Sequence, residues 1–230
     1  MYWHDENDSP ETYQVPDDIV DIAFKVDCRT LPLDHAQALS TALHTALPWI
    51  AEEPNLAIHT IHVAESGNGW MRPENSLNNV LHLSRRTRMR LRLPQNRIEK
   101  ARHLIGQTLD IDGNALKVGT PTIHKLSKQT TLFSRYVLGD NVEDEAIFLQ
   151  DTLQQLQVLG IQPKKMMTGL PHSISAKGGE LQSRTLMLAN LDINDSVRLQ
   201  QLGLGPGRKL GCGIFLPHKG IEAVGGSSSQ

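Results

Sequence analysis

Five glycines fall within the eleven residues Gly203-Leu-Gly-Pro-Gly-Arg-Lys-Leu-Gly-Cys-Gly213, with Arg208 and Lys209 at the centre. Glycine lets backbone amides approach an anion closely, and two cations add attraction. The segment is therefore suited to holding a phosphate through Gly205, Gly207, Arg208, Lys209 and Gly211. It is not a dinucleotide fingerprint, which runs strand, glycines, helix, because here the glycines follow a helical stretch and lead into a strand. Nor is it a P-loop, since no Ser or Thr follows a Gly-Lys pair. The competing reading is a long turn between helix and strand. The Arg-Lys pair and the downstream Pro217-His218-Lys219 favour phosphate.

Ten histidines could move a proton, and the first predicted helix carries two of them, His35 and His44; His44 is taken first. It shares a predicted helix with Gln37, Ser40 and Thr41, away from the apolar stripe of Leu39, Leu43, Ala46 and Leu47. A solvent-facing imidazole there is open to proton exchange with a substrate. His35 is the alternative, in the first turn, where the helix dipole disfavours its charged form. His59 and His62 sit three apart on a strand, hence on opposite faces, which is poor metal geometry. Cys28 and Cys212 are far apart and lack a CxxC or Cys/His spacing, and no Asp/Glu cluster stands out. Reduced thiols, no metal site and no cofactor are expected.

Charge is unevenly spread over a chain of formal net charge −2. Residues 1–27 hold eight acids against Lys25, whereas residues 85–103 hold eight bases (Arg85, Arg86, Arg88, Arg90, Arg92, Arg97, Lys100, Arg102) against Glu99. A second basic region, Lys164 to Lys219, includes Lys177, Arg184 and Arg198. Two basic patches on a near-neutral chain fit a polyanion partner. Aromatic content of 4% argues against extensive base stacking and for a structured RNA over a single strand. No apolar run is long enough to span a bilayer, and the acidic N-terminus lacks a signal-peptide layout, so a cytosolic location is expected.

The elements that must position these residues follow from periodicity. Ile19–Cys28 reads as a strand, and a helix follows it, with Asp34 and Gln37 in a capping-box pattern and Pro48 at its end. Strands are expected at Leu56–Ala64 and Val80–Leu93, separated by a loop over Ser66–Asn79. In Arg88–Leu93 basic and apolar residues alternate, placing arginines on one face. A helix after Pro94 and a hairpin at Asp112-Gly113 complete β-α-β-β-α-β. The order repeats: a strand at Thr131–Leu138, a helix at Glu143–Leu159, strands over 164–176 and 181–191, a helix near Asp195–Leu202 and a strand at Gly213–Leu216. The expected class is α+β, two tandem ferredoxin-like modules with a C-terminal glycine-rich loop. Their bounds are 17–119 and 129–221, between a flexible acidic arm (1–16) and a flexible tail (222–230).

The segment Gly203–Leu216 resembles the glycine-rich loop between the last helix and last strand of the repeat-associated mysterious protein (RAMP) superfamily. Within it the chain looks like the CRISPR-associated crRNA-processing endoribonucleases, and their compact subtype named after myxobacteria. Leu43-His-Thr-Ala-Leu47 is similar to the Leu-His-x-Ala-Leu element that carries the catalytic histidine in one compact branch. The resemblance implies metal-independent cleavage of a CRISPR repeat hairpin by its own ribose 2′-OH, leaving a 2′,3′-cyclic phosphate. It makes His44 the general base or acid, with Lys177, Ser175 or Ser183 as helper and Arg208 and Lys209 on the backbone. Arginines 85 to 92, Arg97 and Arg102 would contact phosphates, and other CRISPR-associated effector subunits could join the product complex. Two other readings stay open: a non-catalytic RAMP-type RNA-binding subunit, and a ferredoxin-like enzyme or sensor of small phosphorylated metabolites.

Overall fold

The computed structural model describes residues 13–62 and 80–218. In chain order the first module holds β1 (Ile19–Asp27), β2 (Thr30–Pro32), α1 (Ala36–Ala46), β3 (Ala57–Ile58), β4 (Val80–His82), β5 (Arg88–Pro94), α2 (Ile98–Ala101), β6 (Thr108–Ile111) and β7 (Asn114–Lys125). The second holds β8 (Leu132–Leu138), α3 (Glu145–Val158), β9 (Lys165–Ala176), β10 (Gly179–Ala189), α4 (Ile193–Leu202) and β11 (Leu216–Pro217).

The first sheet runs β3-β5-β1-β7-β6 and the second β11-β8-β10-β9. Without the extra β6, each has the ferredoxin-like arrangement, its first and third strands paired at the centre, and all pairings are antiparallel. The two-module expectation therefore holds. Each module buries its own core: Ile22, Phe24, Leu39, Leu43 and Leu91 in the first, Leu132, Phe148, Leu156, Leu186 and Phe215 in the second.

Local chemistry explains most ends. The Asp144 side chain accepts from the amides of Ala146 and Ile147 to start α3, and Asp192 accepts from Asn194 to start α4. In the two-residue turn between β6 and β7, Asp112 and Gly113 both take positive φ, 50° and 78°.

Several expectations are corrected. Strand β3 is two residues long, and the Val80–Leu93 strand divides into β4 and β5 around a turn closed by Ser84 and Thr87. The segment after Pro94 is not one helix but α2 between two 3-10 turns. Asp34 does not cap α1: His35 holds that position, without a side-chain cap. Strand β7 runs through Gly119 to Lys125, so the first module extends past 119 and the join is residues 126–131. Within the acidic arm, Tyr13 and Val15 pack on Ile19, Leu126 and Val197, and Lys128 lies over the Tyr13 ring. The rest of the arm, the 66–79 loop and the 222–230 tail lie outside the described residues.

Candidate functional site

Two faces of α1 divide its work. Leu39 and Leu43 are buried in the first module, while Ala36 packs with Ile174 and Cys212 of the second. His44, in the last turn, follows Ser40 on this helix and is half-buried, not fully solvent-facing. Its Nδ1 lies 2.7 Å from the Ser40 carbonyl oxygen. A carbonyl can only accept, so Nδ1 carries the hydrogen and Nε2 is the nitrogen left to take or give a proton.

His35 is a different residue from the one expected. It is 2% exposed, its Nδ1 donates to the Pro32 carbonyl at 2.9 Å, and its Nε2 accepts from the Ile61 amide at 2.9 Å. One donor and one acceptor fix the neutral tautomer, so His35 joins α1 to the segment after β3 and is structural, not catalytic.

The glycine-rich segment follows α4. A 3-10 turn, Arg208–Leu210, lies between Gly207 and Gly211, both left-handed, and packs on α1 and β3. A Cβ on Gly211 would sit 2.6 Å from Thr60 Cγ2, and one on Gly213 would strike the Leu204 carbonyl oxygen. Gly211 is needed for contact with its own protein, so its expected role as an open phosphate cradle is corrected. Gly207 likewise faces Leu138 and Cys212, which leaves Gly205 as the exposed glycine of the three proposed.

The two cations are partly committed. Lys209 Nζ donates to the Ala51 carbonyl at 2.8 Å, just beyond α1. Arg208 donates to the Gln201 carbonyl at 2.9 Å, and its Nε is buried without an acceptor. Burial, with the neighbouring charge of Arg92, pulls the Arg208 guanidinium down to about 10, so it stays charged at neutral pH.

The basic stretch also divides. Arg85, Arg86 and Arg90 are exposed, and Arg88 donates to the Arg85 and Thr87 carbonyls, bracing the turn. Arg86, Arg88 and Arg90 line a cleft of about 250 Å³ with Thr60, His62 and Leu216. Thr60 touches Gly211, so the cleft adjoins the glycine segment.

Arg92 is 1% exposed and takes no part in that cleft. Its guanidinium meets both Asp21 oxygens, at 2.7 and 2.9 Å, and donates to the carbonyls of Gln200 and Phe215. Burial alone would raise the Asp21 carboxyl, but Arg92 and His59 outweigh it and hold it well below the usual carboxylate range. Arg97 is held by Glu53 at 2.7 Å over the Trp49 ring, and Arg102 pairs with Glu99 at 3.1 Å.

Of the helper candidates, Ser183 is fully buried and donates to the His172 carbonyl, which removes it. Ser175 and Lys177 are exposed near the β9–β10 turn. Their backbone amides bind Asp34 and Gln37 beside the start of α1. Sequence reasoning missed those contacts, the Asp21–Arg92 pair, and Thr60 and His62 in the cleft. Its one signal for the latch was the Asp34/Gln37 pairing, read as a cap. Among the described residues no group of three His, Cys, Asp or Glu could hold a metal, and no helix is long and apolar enough to cross a membrane.

A family profile described as Cas6 CRISPR matches residues 20–220. The CRISPR-associated endonuclease Cas6 of Myxococcus xanthus (strain DK1622) is 32% identical over 198 residues, 86% of this chain and 81% of that protein. Among solved structures, a CRISPR associated protein Cas6 superposes with a TM-score of 0.57 at 12% identity, covering 87% of this chain and all of the other. A Cas6-related protein from Pyrococcus furiosus gives 0.54 at 17% identity, covering 89% and 99%. A RAMP protein described as binding different RNA substrates gives 0.55 at 15% identity, covering 85% and 98%. These structural likenesses concern the fold. Profile and sequence identity together establish that the chain belongs to the Cas6 family.

Proposed function

We propose that this protein is an endoribonuclease that cuts CRISPR precursor RNA within repeat hairpins and keeps the product for effector assembly. The ribose 2′-OH gives its proton to His44 Nε2 and attacks the adjacent phosphorus. The P–O5′ bond breaks, the 5′-oxygen takes up a proton, and a 2′,3′-cyclic phosphate and a 5′-OH remain. No step needs a metal ion or an outside reactant. General acid-base catalysis of this kind supplies about 10²–10⁴-fold.

The observation that carries the reading is the 2.7 Å bond from His44 Nδ1 to the Ser40 carbonyl, which fixes the ring and leaves Nε2 for the substrate. Cations complete the site: Lys209, anchored just past α1, and Arg208 can offset charge on the phosphorane. Arg85, Arg86, Arg88 and Arg90 carry phosphate contacts around the adjoining cleft. Lys177 and Ser175 remain the helpers from the second module.

The test is incubation of the purified protein with candidate hairpin repeats in EDTA, with product ends determined. Cleavage to a cyclic phosphate, blocked by a 2′-deoxy at the scissile nucleotide, is the expected result. Salt-sensitive binding without any cyclic-phosphate product would instead assign a binding subunit.

A further inference from the structure

Strand β9 is the outer edge of its sheet and pairs with β10 alone. An edge strand leaves alternate amides without a neighbouring strand. Near the turn, Ala176 pairs with Gly179, so the amides of Ser175 and Lys177 point outward. Both are taken by side chains at the start of α1. The Ser175 amide donates to Asp34 Oδ2 at 3.0 Å and the Lys177 amide to Gln37 Oε1 at 2.9 Å.

The spacing suits this. Side chains three apart at a helix start lie roughly 5–6 Å from one another, and amides two apart on a strand about 6.6 Å. Gln37 is also oriented in advance: its Nε2 donates to Thr41 Oγ1 at 3.1 Å, which aims Oε1 at the strand. Two side chains thus pair with the edge of β9 as another strand would. The apolar contact of Ala36, Ile174 and Cys212 beside them holds the modules together independently, so the polar pair sets register more than cohesion.

We infer that Asp34 and Gln37 are positioning residues for RNA cleavage: they hold the β9–β10 turn, with Lys177 at its corner, in fixed register with the helix that carries His44. This rests on the RNA-cleaving function proposed above. In this role neither residue acts on the substrate directly. They act through the backbone of the strand that presents Ser175 and Lys177, and a misplacement of about 1 Å at such a site can cost on the order of 100-fold in rate.

The test compares two double variants with the wild type. Asp34→Ala/Gln37→Leu removes both acceptors, whereas Asp34→Asn/Gln37→Glu keeps an acceptor oxygen at each position. Amide hydrogen exchange at Ser175 and Lys177 is followed alongside single-turnover cleavage of a repeat hairpin that the wild type cuts. Affinity is measured with the same hairpin carrying a 2′-deoxy at the scissile site. In the first variant the two amides should exchange at least about tenfold faster and cleavage should slow about tenfold, with affinity held within about twofold. The second should behave as the wild type. Unchanged exchange overturns the inference, as does faster exchange with unchanged cleavage, or equal loss in both variants. A wild type that cuts no hairpin refutes the proposed function and the positioning role with it, whereas cutting indifferent to the latch refutes the latter alone.

Discussion

Arg92 and Asp21 form a two-bonded ion pair, 2.7 and 2.9 Å, inside the junction of the two modules. Arg92 faces two carbonyls of the second module from a strand of the first, so one side chain ties the angle between them. Removing the arginine leaves a buried carboxylate unpaired, which costs about 3–5 kcal/mol. Arg92→Ala should show that loss in denaturant unfolding, and adding Asp21→Asn should recover at least half of it. A loss below about 1 kcal/mol would mean the pair is solvated.

His59 gives the acid limb of stability a second source. Burial pushes its imidazole down, against the opposing pull of Asp21, so it is neutral when folded. An unfolded imidazole titrates near about 6.5. Below that pH the unfolded chain takes up a proton that the folded chain refuses, so stability falls as pH drops from about 7 to about 5. Asp21, held low, contributes stability present above about 3.9, its unfolded value, and lost as pH falls through its folded value. His59→Gln should therefore flatten the decline between about pH 7 and 5 in thermal unfolding. An unaltered slope would contradict the assignment.

The glycines separate by what a methyl group would meet. Gly205, with φ of 69°, has only the Gln155 side-chain oxygen near, at 3.4 Å, so Gly205→Ala should cost about 1–2 kcal/mol, the ordinary left-handed penalty. Gly213, with φ of 63°, would drive a Cβ into the Leu204 backbone, and Gly213→Ala should cost about 3 kcal/mol or more. Equal losses in urea unfolding would show that the loop relaxes freely.

Much of the fold was legible because its signals are local. The alternation in β1 and the Asp-Gly turn before β7 each act within a few residues. The misreadings were places where a distant element decided. Asp34 and Gln37 match a capping box, yet an edge strand about 140 residues away offers their oxygens better donors. Arg88, Arg90 and Arg92 alternate regularly, yet the second module covers only the last of them. The Gly203–Gly213 spacing suggested an anion cradle, while Thr60 and Leu204 fill the space that Gly211 and Gly213 leave. His44 was singled out by its helix face together with the family resemblance; its half-burial and its bond to the Ser40 carbonyl were not visible in the sequence.

The arginines should part company in salt dependence. Each phosphate contact contributes about 0.7–0.9 to the log-log slope of affinity against salt. Arg86→Gln and Arg90→Gln should each lower the slope for hairpin RNA by about that amount. Arg92→Met, whose side chain is buried, should leave the slope of the folded protein unchanged. A slope change for Arg92 equal to the others would place RNA at the module junction.

The most direct measurement is the single-turnover cleavage rate of His44→Ala in EDTA on a repeat hairpin that the wild type cuts. With affinity for the 2′-deoxy hairpin retained, the rate should fall at least about 100-fold. Cleavage by His44→Ala at the wild-type rate would contradict the account.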